Sequence, residues 1–387
     1  MRLLHTSDWH LGRLFHRVHL TEDQAYGLEQ LVQLARELAP DVVVVTGDVY
    51  DRAVPPPEAV ALLDDTLSRL TLDLRLRVVL TAGNHDSPER LGFGRRLLSG
   101  AGAHLVGRLD PDLAPLDLED QHGRVALFAL PYAEPAVVRE RLGDEQVHDH
   151  QGAMSALVQR MAARRPSGAR TVLLAHAFVA GGEPSESERP LSVGGAGTVD
   201  AATLAGFDYV ALGHLHRPQT VVEGRIDYAG SLLKYSFSEA THAKSVSLVE
   251  MDATGRCRVE RWPLVPRHDV RRVKGRLAEL LRGPAPGESA DDYLEASLLD
   301  DGPVLDPMGR LLGVYPNLLL VSRPAMEARA DAPAPTGARV DHRRRGELDV
   351  FRSFFEDVTS RTLEPEQAAA FARLVERMHG REREGAP

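Results

Sequence analysis

Cysteine is nearly absent from this chain of 387 residues, which contains only Cys257. One thiol cannot form a disulfide within the chain, and it offers no thiolate cluster for binding a metal. The chain also lacks an apolar run near the ~20 residues that a membrane helix needs, and its N-terminus lacks a secretory signal pattern. These absences predict a cytoplasmic protein with no membrane segment.

Positive charge is also in short supply, since the formal net charge is −10. Nucleic acid repels such a protein at long range, so binding of DNA would require a local basic patch or a partner protein. The G-x-x-x-x-G-K-[ST] pattern of ATP-binding loops does not occur in the sequence either. We therefore expect any ATP chemistry that is needed to lie on another chain.

The first half of the sequence alternates between strand-like and helical patterns, which is typical of an α/β fold. The β-branched run at 42–45 predicts a strand buried on both faces, and 21–24 before it resembles a capping box that opens a helix. Further strand patterns are separated by helical ones and lie at 78–80, 125–130, 171–174 and 209–212. From 219 to 265 short strands and turns follow, which predicts an antiparallel portion at the end of the core.

The rest of the sequence divides at changes of composition. We predict a main domain at 1–265, a small separate unit at 266–328, and a flexible Pro- and Ala-rich linker at 329–345. A helical region at 346–380 follows, and its two amphipathic helices are too short to form a core alone. They are expected to pack against the body or to clasp a partner helix.

Aspartate, histidine and asparagine recur where the predicted strands end. The residues concerned are Asp8, His10, Asp48, Asn84, His85, His176, His214 and His216. In parallel α/β sheets ligands bind beyond the carboxyl ends of the strands, so these side chains could converge on one crevice. A lone Asp-x-His pair is most often part of a turn, but agreement among five strand ends favours a metal site.

The number of candidate ligands exceeds what a single four- to six-coordinate ion would take. Imidazole, carboxylate and carboxamide suit borderline divalent ions, and the set fits two ions ~3.5–4 Å apart that share one anionic ligand. Asp48 is the natural bridge, because its two oxygens can bind different ions whereas a neutral imidazole has one lone pair. Glycines precede Asp48, Asn84 and His214, where they would permit close approach of the backbone.

The motifs DWHLG, TGDVYDR, AGNHDSPER, LLAHAF and ALGHLHRPQ resemble those of the calcineurin-like metallophosphoesterases. The extended forms resemble the bacterial SbcD nucleases, relatives of the eukaryotic and archaeal double-strand-break repair nucleases. The resemblance implies an α/β fold in which two mixed β-sheets form a sandwich flanked by helices. It also implies a small α+β capping domain that binds DNA, and C-terminal helices that bind a partner.

Site residues can be carried over from the resemblance position by position. It implies that Asp8, His10, Asp48 and His216 hold one ion, that Asp48, Asn84, His176 and His214 hold the second, and that His85 is catalytic. Manganese is the ion usually associated with such nucleases, with magnesium as a poorer substitute. The archaeal and eukaryotic relatives carry a second histidine after the GD motif, whereas this sequence has Asp51 and Arg52 there.

His85 is expected to orient the phosphate and to protonate the departing sugar oxygen, with Asp86 holding its ring. Arg52, Arg90 and His16 follow metal motifs and are candidate contacts with the substrate, although ordinary loop positions are an alternative for each.

The resemblance implies a 3′–5′ exonuclease on duplex DNA ends and an endonuclease on single strands and hairpins, acting in DNA repair and recombination. The family's partner is SbcC, an ATPase with a long coiled coil, in an assembly of two nuclease and two ATPase subunits. A phosphatase or a small-molecule phosphodiesterase is an alternative, although phosphoprotein phosphatases typically have GNHE where this chain has GNHD at 83–86. A non-catalytic scaffold for the ATPase is a second alternative.

Overall fold

A computed structural model describes residues 1–191, 197–302, 304–324, 347–359 and 361–384. The chain forms two compact units, Met1–Val270 and Arg271–Pro387. The predicted linker at 329–345 lies outside the described residues.

The elements of the first unit follow the predicted alternation. Its strands are β1 (Arg2–Thr6), β2 (Leu14–Phe15), β3 (Val18–His19), β4 (Val42–Thr46), β5 (Arg77–Thr81), β6 (Ala103–Val106), β7 (Leu116–Asp120), β8 (Gly123–Ala129), β9 (Arg170–His176), β10 (Phe178–Val179), β11 (Thr198–Val199), β12 (Tyr209–Gly213), β13 (Gln219–Val222), β14 (Ile226–Tyr228), β15 (Ser245–Met251) and β16 (Cys257–Pro263). Its helices are α1 (Thr21–Leu38), α2 (Pro57–Ser68), α3 (Pro88–Leu91), α4 (Arg95–Leu98), α5 (Pro135–Leu142) and α6 (His150–Ala163).

Two six-stranded mixed sheets form the framework of this unit. The first has the order β16-β15-β1-β4-β5-β6. In it β1, β4, β5 and β6 are parallel to one another, whereas β15 is antiparallel to both of its neighbours, β1 and β16. The second has the order β13-β14-β12-β9-β8-β7, in which β8, β9, β12 and β14 are parallel. One apolar cluster joins side chains of both sheets, among them Val44 of β4 and Leu174 of β9. The predicted sandwich of two mixed sheets is thus confirmed, including the antiparallel strands at its end.

The most apolar stretch of the sequence lies at the centre of the first sheet. All residues of β4 are buried, since a parallel strand between two layers has no solvent-facing side. Helix α1 has an apolar face, with Leu28, Leu31 and Val32 buried. The predicted capping box at its start is wrong: the helix begins at Thr21, and no side chain caps it.

Neighbouring strands end at the same level, which positions the loops that follow them. In the first sheet Thr46 pairs with Thr81, and in the second Gly213 pairs with His176. The loops after β1, β4, β5, β9 and β12 therefore leave the sandwich at one edge.

The second unit has a three-stranded sheet with the order β17 (Val270–Gly275), β18 (Tyr293–Leu298), β19 (Leu318–Ser322). The short helices α7 (Leu277–Leu280) and α8 (Pro307–Leu312) accompany it, and Leu277, Leu294 and Leu311 belong to its buried core. Two longer helices follow, α9 (Glu347–Thr359) and α10 (Pro365–Glu384). Within the described ranges, none of the helices has both the length and the apolar character required to span a bilayer.

Candidate metal centre

The loops that carry the predicted ligands have an unusual backbone. Asp8, His10, Asp48 and His214 have positive φ angles of 51°, 45°, 47° and 108°, which are rare and costly for residues with a side chain. Two hydrogen bonds hold the first two loops together, from the Asp8 N–H to the Gly47 carbonyl at 3.1 Å and from the His10 N–H to the Asp48 carbonyl at 2.9 Å. The fold therefore imposes strain at the positions where side chains must point into one crevice.

Glycine is required where these loops touch. A Cβ on Gly83 would lie 2.1 Å from Asp48 Oδ1, and one on Gly213 would lie 1.8 Å from the Thr46 carbonyl oxygen. Neither distance is compatible with a side chain. The predicted role of these glycines in close backbone approach thus has a direct geometric basis.

Asp8, His10 and His216 form a buried triad whose ligand atoms all lie within 4.8 Å of one another. The Nε2 atoms of His10 and His216 are 3.0 Å apart. Burial lowers the pKa of His10 to about 3, and the neighbouring carboxylates of Asp51 and Asp48 oppose this shift only in part. His10 is therefore neutral near pH 7 and has a lone pair available for a cation.

Asp48 lies between this triad and the remaining histidines. Its Oδ2 atom is 3.7 Å from His10 Nε2, 3.5 Å from His176 Nε2 and 3.9 Å from His85 Nε2. Asp8, Asp48 and His176 form a second buried triad. The resemblance assigns Asp8 to the first ion alone, whereas in the structure it is near both groups.

His176 and Asn84 are in direct contact, with His176 Nε2 and Asn84 Oδ1 2.9 Å apart. The Nδ1–H of His176 donates to the Thr46 carbonyl at 3.0 Å, which directs Nε2 into the crevice. Burial alone would lower the pKa of His176, but the carboxylates of Asp48 and Asp8 outweigh it and raise the pKa to about 9.

His214 is adjacent to both groups without joining either triad among the described residues. Its ring centroid is 5.4 Å from that of His176, and its backbone N–H donates to both Asp8 oxygens at 3.1 Å. His214 thus orients Asp8 through its backbone in this arrangement.

His85 is fixed beside Asp48. Its backbone N–H donates to Asp48 Oδ1 at 2.8 Å, and its ring Nδ1–H donates to the Asp51 carbonyl at 2.8 Å. This leaves Nε2 facing the crevice. Asp86 does not hold this ring: its carboxylate accepts hydrogen bonds from the N–H groups of Val49, Tyr50 and Gly83 and joins the second and third loops.

The three candidate substrate contacts lie outside the triads. Arg52, Arg90 and His16 are exposed. His16 stands at the turn of the β2–β3 hairpin with a φ of 47°, and its ring lies near those of Phe15 and Phe237 at centroid distances of 4.9 and 5.3 Å. Their contact with a substrate stays a prediction.

The first 218 residues match the model of the family described as calcineurin-like phosphoesterase. The protein belongs to this family. The match covers more than half of the chain and includes every loop of the crevice. Residues 266–359 match a second model, described as the type 5 capsule protein repressor C-terminal domain.

Individual proteins are similar to this chain in differing degrees. The chain is 29% identical over 375 residues to a protein of Staphylococcus epidermidis named as the SbcD subunit of the SbcCD nuclease, with 97% of this chain and 98% of that protein aligned. TT1561 of Thermus thermophilus aligns with 68% of this chain and 99% of its own at 14% identity and a TM-score of 0.38. A dimetal phosphatase from Danio rerio aligns with 69% of this chain and 99% of its own at 14% identity and a TM-score of 0.41.

The donor set fits the divalent ions that the family name implies. It consists of buried carboxylates, imidazoles and one carboxamide, with no sulfur among them. The convergence of two imidazole Nε2 atoms on the same point would be repulsive without a cation or a proton between them. The residues present therefore suit a divalent metal centre.

Several supporting residues of this phosphoesterase site were not predicted from the sequence. Gln24 donates to the His10 carbonyl at 2.7 Å and accepts from the Gly12 N–H at 3.0 Å, so it fixes the first loop instead of capping α1. Arg13 forms an ion pair with Asp51 at 2.9 Å. Behind His216 lie Glu239 and Lys244, both buried. No motif marks these residues, because each acts through a contact between distant parts of the chain.

Proposed function

We propose that this phosphoesterase is a DNA nuclease subunit that uses two divalent ions, with manganese as the preferred one and magnesium as a poorer substitute. Support comes from the alignment, over nearly the full length of both chains, with a relative named as the SbcD subunit of the SbcCD nuclease. We extend the proposal to 3′–5′ exonuclease action on duplex ends and endonuclease action on single strands and hairpins.

The observation that carries the proposal is the position of Asp48. Its Oδ2 atom lies 3.7 Å from the Nε2 atom of His10 and 3.5 Å from that of His176, between the two ligand groups. A carboxylate in that position is suited to serve both ions. Asp8, His10 and His216 would hold one ion with Asp48, and Asn84, His176 and His214 the other.

The metal ions and His85 would have distinct tasks in the cleavage of a phosphodiester. The two metal ions would supply an activated water and would place positive charge next to the phosphoryl oxygens. His85 presents Nε2 toward the crevice while its Nδ1–H is held by the Asp51 carbonyl. From that position it is suited to donate a proton to the departing sugar oxygen.

This acidic chain needs a partner protein to supply part of the positive charge that binds DNA. Two arginines of β17 are neutralised within their own unit, because Arg271 pairs with Asp292 at 2.6 Å and Arg272 pairs with Glu295 at 2.6 Å. We propose that an SbcC-type ATPase supplies further DNA contacts in an assembly of two nuclease and two ATPase subunits. The cytoplasm is the proposed location.

The proposed docking site for the ATPase coiled coil is the pair α9 and α10. Phe351 and Phe371 stack with their centroids 3.8 Å apart and hold the two helices together. Phe354 and Leu374 remain 60% and 47% exposed. An exposed apolar face of this kind on a helix pair suits a partner helix.

Cleavage assays distinguish the proposal from its alternatives. The protein is incubated with Mn²⁺ and either end-labelled duplex DNA or p-nitrophenyl phosphate. Cleavage of DNA that is abolished by chelation supports the nuclease, whereas turnover of the small ester alone supports a phosphatase. Failure to cleave either substrate, with Mn²⁺ bound, would support a non-catalytic scaffold.

A further inference from the structure

The two histidines that face each other in the first triad are backed by carboxylates. The Nδ1–H of His216 donates to the Ser187 hydroxyl at 2.7 Å, and that hydroxyl donates in turn to Glu239 Oε1. Glu239 Oε1 is also 3.3 Å from His216 Nδ1 directly. Such a carboxylate fixes the ring and keeps Nε2 free of a proton, which favours binding of a cation there.

Glu239 is held in place by a buried ion pair. The Lys244 ammonium donates to Glu239 Oε2, to the His216 carbonyl at 2.7 Å and to the Ser231 hydroxyl at 2.7 Å. Glu239 is fully buried, and Lys244 is 6% exposed. Burial of two charges costs free energy, so a pair placed directly behind a ligand points to a role at that ligand.

His10 has an equivalent carboxylate on its far side. Asp51 Oδ1 lies 3.4 Å from His10 Nδ1, and Arg13 pairs with the same oxygen at 2.9 Å. In the described part of the chain His10 Nδ1 is buried without a hydrogen-bond partner. The distance is only slightly longer than an N–H···O bond, so a small rotation of Asp51 would complete the contact.

The histidine of the second ligand group is supported differently. His176 rests on a backbone carbonyl, that of Thr46 at 3.0 Å, and not on a carboxylate. Its neighbour Asn84 offers an uncharged amide oxygen. In the first group each imidazole has a carboxylate near its Nδ1 atom, whereas His176 has a backbone carbonyl oxygen there.

We propose that Glu239 and Asp51 are positioning residues that make the His10–His216 ion site the tighter of the two. The inference rests on the two metal ions of the proposed function, and it adds an order of binding. The first ion occupies this site before the second ion binds near Asn84.

The test is a titration of the metal-free full-length protein with Mn²⁺, followed by electron paramagnetic resonance of the free ion and by calorimetry. The wild type should show a tight and a weak class of one ion each. Glu239→Gln and Asp51→Asn should each weaken the tight class about 10–100-fold and leave the weak class unchanged. Asn84→Ala should remove the weak class alone, which assigns the two classes to their sites.

A matched control is Asp227→Asn. Asp227 is a buried carboxylate that is ion-paired with Arg261 at 2.8 Å, and it belongs to neither ligand triad. Its loss should lower the unfolding temperature without changing either Mn²⁺ constant. If Glu239→Gln fails to fold, Ser187→Ala replaces it, because that change removes the hydroxyl that bridges His216 and Glu239 and leaves the Lys244 pair intact.

The inference is overturned if the tight constant is unchanged in folded variants, if the weak constant moves instead, or if the wild type binds both ions equally. Because the readout is the metal alone, a protein that binds two ions in this order but leaves DNA intact would contradict only the proposed nuclease activity.

Discussion

The Nε2 atoms of His10 and His216 lie 3.0 Å apart, although 206 positions separate the two residues in the chain. His10 follows the first strand of one sheet, and His216 follows the β12 strand of the other. The meeting of the two sheets at one edge therefore creates the centre, and each half of the sandwich contributes donors.

Replacement of His85 separates catalysis from metal binding. His85→Ala should abolish cleavage of DNA, because the variant loses the ring Nε2 that faces the crevice beside Asp48. The two buried triads that contain Asp8 keep all their side chains in this variant. The Mn²⁺ content, measured by mass spectrometry after dialysis, should remain near that of the wild type. His122→Ala, at an exposed position, is the control and should retain cleavage. Equal loss of manganese and of cleavage would show that His85 is a ligand.

A methyl group at Gly83 tests the close packing of the loops. Gly83→Ala would place a Cβ 2.1 Å from Asp48 Oδ1, so Asp48 must move. We expect the free energy of unfolding to fall by about 1–3 kcal/mol and Mn²⁺ binding to weaken. Gly100→Ala, where nothing lies within 4 Å of the added Cβ, should leave both properties unchanged. Normal manganese affinity in Gly83→Ala would contradict the proposed position of Asp48.

Binding of manganese should release protons. The carboxylates of Asp48 and Asp8 overcome the effect of burial and raise the pKa of His176 to about 9, so its ring carries an extra proton at pH 7 in the metal-free protein. An ion needs the Nε2 lone pair and must displace that proton, so affinity should fall as the pH is lowered below 9. Calorimetry in buffers with different ionisation enthalpies measures the release. A binding enthalpy that is independent of the buffer would contradict it.

The C-terminal helices provide a test of the proposed partner site. Phe354→Ser combined with Leu374→Ser should weaken binding to the coiled-coil segment of the ATPase, since both side chains are largely exposed. Hydrolysis of a small ester should persist, because the metal centre is unchanged. Leu305→Ser is the control, since Leu305 is 87% exposed outside these helices. Equal binding by the wild type and both variants, measured by surface plasmon resonance, would exclude this face.

The sequence predicted the parts of this structure that depend on local patterns. The apolar run at 42–45 became the central strand β4, and the helix predicted from the apolar residues after 21 became α1. The donors at the strand ends could be named because parallel strands end at a common edge.

The parts that the sequence did not reveal depend on contacts between distant segments. Gln24 fits a capping box by its spacing from Thr21, but its amide reaches the His10 carbonyl, which no local pattern indicates. Glu239 and Lys244 occur in a segment without a recognisable motif, and their role emerges only when β14 and the following loops bring them behind His216. Asp51 could not be assigned until its distances to His10 and His85 were known.

The most direct test of the two-ion centre is anomalous diffraction at the manganese edge, from crystals soaked in saturating Mn²⁺. We predict two peaks in the crevice, one beside His10 and His216 and one beside His176 and Asn84, with the Asp48 carboxylate in contact with both. A single peak, or a pair with Asp48 turned away from the crevice, would contradict the shared carboxylate on which the proposed function depends.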